Sequence, residues 1–203
     1  MPKPKEITDG LQAIVNGYPV FAILWHAAFY LLIIALIAKW LPSNRLLGIL
    51  FCLPLLSVAV FAWIIGNPFN GSLFSILAIL ILLFALKANT LPVSTSQLLF
   101  IGTGILMIVF GLVYPHFISN VTIVKYFYAT PVGLIPCPTL SILIGLALVF
   151  NGLGSNAISL VLIISGLFYG LFGVFRLAVH LDLFLVAGAL ALLTKYILSL
   201  RVT

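Results

Sequence analysis

Long apolar runs alternate with short polar breaks along the chain, and the breaks are sparse enough to count the runs between them. A helix crossing about 30 Å of hydrocarbon needs about 20 apolar residues, so each uncharged run of that length predicts one membrane span. The 29 residues between Asp9 and Lys39 hold one, at 19–38. The 41 between Arg45 and Lys87 exceed one helix, and Gly66, Asn67, Pro68 and Asn70 supply turn chemistry near their middle. Two spans are expected there, 46–65 and 69–86. After the polar set Asn89, Thr90, Ser94, Thr95, Ser96 and Gln97, a fourth is expected at 98–118. The cluster Asn151, Gly152, Gly154, Ser155 and Asn156 then divides the next uncharged run into 132–150 and 157–175, and a last span follows Asp182 at 183–200.

The segment 132–150 differs from the rest. Pro131, Pro136 and Pro138 interrupt its start, since each lacks an amide donor and biases the preceding residue away from helical angles. With Pro138 at the first helical position, the helix to Phe150 covers only about 20 Å. An extended run from Val132 to Cys137 is expected to cover the remaining depth, with Cys137 at the helix cap. Non-helical backbone at membrane depth survives only when buried in protein or lining a wet cavity. The expected fold is an all-α integral membrane protein, a bundle of about seven transmembrane segments whose fifth is broken or partly re-entrant. Residues 1–17 read as a tail or interfacial helix and 18–203 as one transmembrane domain.

Composition agrees. Hydrophobic residues make up 64% of the 203 and charged ones 6%, with a mean hydropathy of +1.37, which excludes a water-soluble globule. The net charge of +6 comes from dispersed cations with no basic stripe, so it fits anionic lipid headgroups and not nucleic acid. In the seven-span topology Lys3, Lys5, Lys125 and Arg176 share one side, and Lys39, Arg45, Lys87, Lys195 and Arg201 the other. The positive-inside rule then tips towards a cytoplasmic carboxyl terminus. Small residues mark packing faces: Ser159, Gly166, Gly170 and Gly173 on the sixth span, and Gly104 and Gly111 on the fourth. Their partners are expected within the chain or in a membrane-protein partner or second copy.

The stretches PVGLIPCPT at 131–139 and DLFLVAG at 182–188 resemble an uncharacterised family of bacterial multi-pass membrane proteins, a domain of unknown function. The resemblance implies an all-helical bacterial protein of this size and names no reaction, substrate or catalytic residue; the expected location is the bacterial inner membrane.

Reactive chemistry is scarce. Glu6 and Asp9 precede the first span, and Asp182 at the turn before the last reads as a helix cap pairing with Arg176 or His180, so no acid is expected inside the bundle. Ser155 with His180 lacks the surroundings of an intramembrane serine protease. Cys52 reads as a small buried hydrophobe, whereas Cys137 lies in the broken segment. Cys137, His116 and His180 fall towards one leaflet, and thiolate with imidazole suits Cu(I) or Zn(II). A solute site is expected at Pro136, Cys137, Pro138 and Thr139. The leading reading is a non-enzymatic structural or accessory subunit of a membrane assembly. The alternative is a small-solute or soft-metal-ion transporter with its site at the broken segment.

Overall fold

A computed structural model describes residues 3–40, 43–119 and 122–201. Among them are eight α-helices and no strand: α1 Pro4–Gly17, α2 Pro19–Ile37, α3 Asn44–Ile64, α4 Pro68–Lys87, α5 Leu98–Leu112, α6 Pro136–Val149, α7 Asn156–Leu177 and α8 Leu183–Leu200. Five segments are long and apolar enough to cross a membrane: α2, α3, α4, α7 and the stretch His180–Leu200 that holds α8. The all-helical integral membrane class of the sequence pattern is present. Helix length supports five crossings, and the two others expected, α5 and α6, are short helices of 15 and 14 residues.

Each short helix has a local cause. Continuing α5 beyond Leu112 would require Pro115 to donate to the Gly111 carbonyl, and proline has no such donor. Helical geometry stops at Leu112, not Ile118. The Leu112 carbonyl at that end is claimed from elsewhere in the chain: it accepts from the Thr130 hydroxyl at 2.7 Å, and the buried His26 ring of α2 lies 3.0 Å from it through Nε2. Fully buried Thr130 thus fixes the approach to the broken segment onto the end of α5.

The broken segment is more compact than expected. Leu134 and Ile135 amides both donate to the Pro131 carbonyl at 3.2 Å, so 131–135 forms a turn and not an extended run. α6 begins at Pro136, with Ile135 at the cap, because a proline at the first helical position loses no bond. Cys137 is therefore the second residue of the helix and not its cap. Gly133 takes φ +72, and a Cβ there would overlap the indole of Trp25. Trp25 is held in turn by its Nε1–H donating to Ser57 of α3 at 2.8 Å.

α6 is the centre of the fold. Every residue from Thr130 to Val149 is buried except Cys137, which is half-buried. α3, α5, α7 and α8 pack on it, and α4 packs on α3 and α7. Between helices in lipid, burial of apolar surface gives little drive, and close van der Waals approach takes its place. At the α5–α6 crossing a Cβ on either Gly104 or Gly145 would come within 2.6 Å of the other's carbonyl oxygen. Gly166 faces Ile144 of α6 and Ala189 of α8, and Gly170 faces Val186 of α8, so these small-residue faces meet partners in the same chain.

Candidate functional site

The amino-terminal end of α6 opens onto a cavity of about 360 Å³. One wall is α7, through Phe168, Tyr169, Phe172 and Leu177; α1 covers it with Ile7 and Leu11, and Phe69 and Asn70 come from the start of α4. Ile135, Pro136 and Cys137 form the part contributed by the broken segment. The walls are almost entirely apolar, and the polar residues among them are Asn67, Asn70, Cys137, Tyr169, Arg176 and Asp182.

Chain geometry explains why Asp182 is there. α7 ends at Ala178, whose left-handed conformation at φ 57 lets the Val179 amide return to the Gly173 carbonyl at 2.9 Å. A 3₁₀ turn, His180–Asp182, follows and folds the carboxylate back against Gly173, where a Cβ would collide with it. The spacing of Gly173 along the sixth span thus serves the carboxylate, not a crossing of two helices.

Asp182 is 1% exposed, and its side chain makes no capping bond to α8. It accepts from Tyr114 Oη at 2.9 Å and from Cys137 Sγ at 3.2 Å. The expected cap is therefore a buried carboxylate held by a phenol and a thiol, which corrects the expectation of an acid-free interior. The signal was available: a single acid among apolar residues at the edge of a membrane domain seldom stays exposed without function. Tyr114 is fully buried beside Phe110, and its hydroxyl closes the cluster. Across the cavity, Tyr169 donates to Asn70 Oδ1 at 3.0 Å, and Asn67 Oδ1 caps the Asn70 amide at 3.1 Å. The first bond joins α7 to α4, and the second caps the start of α4.

The four positions expected to hold a solute separate. Pro136 and Cys137 line the cavity. Pro138 and Thr139 are buried away from it; Thr139 spends its hydroxyl on the Ile135 carbonyl at 2.7 Å and accepts from the Gly133 amide at 2.9 Å, which stabilises the turn. The expected metal triad does not assemble. Among the described residues no group of three or more His, Cys, Asp and Glu is placed to hold a metal ion. His116 packs edge-on against Phe117, and His180 is exposed. Ser155 caps α7 by accepting from the Ile158 amide at 3.4 Å, and the 22 residues of α7 separate it from His180.

The cluster can hold a hydrogen-bonding group at the end of an apolar slot. It offers a carboxylate acceptor, a thiol and the exposed guanidinium of Arg176 around one opening. Comparison of the chain with protein-family models, with curated proteins and with solved structures gives no match.

Proposed function

We propose that this chain is a small-solute membrane protein that takes an amphiphile, a mostly apolar molecule with one hydrogen-bonding end, into the cavity beside Cys137 and Asp182. The observation that carries the reading is the polar cluster Asp182, Cys137 and Tyr114 placed at an apolar slot where α6 begins after the proline-rich turn. Discontinuous membrane helices recur at transporter sites, because backbone freed from helix is tolerated where it meets a cavity. In this reading α5 and α6 are the fourth and fifth of seven membrane segments, each completed in depth by its adjoining turn. The carboxyl terminus lies in the cytoplasm of a bacterial cell, and the cavity opens towards the opposite leaflet.

An accessory subunit, the first expectation of the sequence, has no geometric feature in its favour of equal weight. The experiment separates the two. Protein purified in mild detergent is extracted with solvent, and retained small molecules are measured by mass spectrometry for wild type and Leu177→Trp, which narrows the slot without touching Asp182. About one amphiphile per wild-type chain, reduced at least fivefold in Leu177→Trp, is expected. Equal retention in both, or none together with a stoichiometric companion protein, would transfer the reading to the subunit.

A further inference from the structure

At the opposite end of α7 and α8 lies a second cavity, of about 210 Å³, whose lining is mostly polar. Ser155, Asn156 and Ser159 of the α7 start, Asn151 of the preceding loop, and Lys195 and Ser199 of α8 surround it. The half-buried Lys195 ammonium donates to Asn151 Oδ1 at 2.8 Å, which uses one of its three donors on a neutral amide. No carboxylate among the described residues can serve it. Asp182 is thirteen residues earlier, about 20 Å along α8. Glu6 and Asp9 belong to α1, which bonds to the far end of the molecule through Gln12 to Ser119 and Asn16 to Phe117.

The surrounding backbone has the same sign. Asn151, Gly152, Leu153 and Gly154 are four consecutive left-handed residues, a conformation that turns the chain into the α7 start beside the lysine. Of the first four amides of α7, Ile158 is taken by the Ser155 side chain and Ser159 by the Ser155 carbonyl. The Asn156 and Ala157 amides have no partner within the helix. Lys195 lies five residues before the end of α8, a position from which a lysine side chain reaches the headgroup region by snorkelling, and Tyr196 beside it is of a type enriched at that interface.

We propose that this cavity binds a phosphate group, with Lys195 as its counter-charge and Ser155 and Ser159 as the surrounding hydroxyls; the Ser199 hydroxyl, which donates to the Tyr196 carbonyl at 2.7 Å, lines the cavity wall. The site is independent of the amphiphile cavity. An anionic phospholipid headgroup and free inorganic phosphate share this chemistry, and the test distinguishes them.

Full-length protein is reconstituted in phosphatidylcholine nanodiscs, and its thermal midpoint is followed as phosphatidylglycerol is added or, separately, as inorganic phosphate is added. Wild type is compared with Lys195→Met, Lys195→Arg, Ser199→Leu, which fills the cavity, and Lys87→Met, which removes an exposed cation at the same end. The apparent affinity for the phosphate-bearing probe should fall about fivefold in Lys195→Met and in Ser199→Leu. Lys195→Arg and Lys87→Met should keep the wild-type response. A response to phosphatidylglycerol alone assigns the group to lipid, and a response to both assigns it to the free anion. Loss of response in Lys87→Met equal to that in Lys195→Met, or an unchanged response in both cavity variants, would overturn the site.

Discussion

Helices α2 and α6 are both apolar on every side, yet they meet different solvents. In α2 only Ala22, His26, Phe29 and Leu36 are buried, and Leu31, Ile34 and Ile37 stand more than half exposed. In α6 every residue except Cys137 is enclosed by protein. Hydropathy does not separate lipid contact from protein contact, because both are apolar surroundings. What separates them is the polar exception each helix carries. α2 makes its polar contacts on the face that carries Trp25 and His26, whereas α6 has its prolines and Cys137 at one end and Ser141 and Gly145 within its length.

The contrast can be broken at several points. Gly133→Val, at the turn that precedes α6, forces a left-handed β-branched residue into the Trp25 ring and should cost about 3 kcal/mol or more. Thermal unfolding in detergent is expected to show loss of most folded protein; a stable variant would mean that the turn can open towards lipid. Leu143→Ala in α6 should cost about 2 kcal/mol, near the low end for core truncation, since lipid in the unfolded state removes the transfer term and leaves the cavity term. Tyr114→Phe removes one of two donors to the buried carboxylate and should cost about 1–2 kcal/mol. Its signature is faster alkylation of Cys137 in a Cys52→Ala background, because the remaining thiol contact to Asp182 is less constrained. Leu31→Ala on the lipid side of α2 is expected within about 0.5 kcal/mol of wild type, measured in the same unfolding assay. If Leu143→Ala and Leu31→Ala were equally mild, the distinction between the two helices would fail.

Much of this arrangement is legible along the chain. The turns at Asn67–Pro68 and at 151–156 mark real helix ends, and the prolines of 131–138 mark a real interruption. The end of α5 was also readable, from the donor that Pro115 lacks. Two features were not. Whether residues 131–135 extend or turn depends on Gly133 fitting under Trp25, a contact 108 residues away in sequence. The cluster at Asp182 depends on a left-handed Ala178, a conformation that an alanine does not advertise, and on Tyr114, whose position resembles that of any interfacial tyrosine. Metal ligation by Cys137, His116 and His180 failed for a related reason: sharing a leaflet fixes depth but not direction around the bundle.

The most direct test of the amphiphile site is an experimental density map of the protein in lipid nanodiscs at a resolution that separates side chains from bound molecules. Elongated non-protein density is expected between α1, α4 and α7, with one end within hydrogen-bond reach of the Cys137 and Asp182 side chains. A slot closed by Phe168, Phe172 and Leu177, or one holding water alone at saturating lipid, would contradict it.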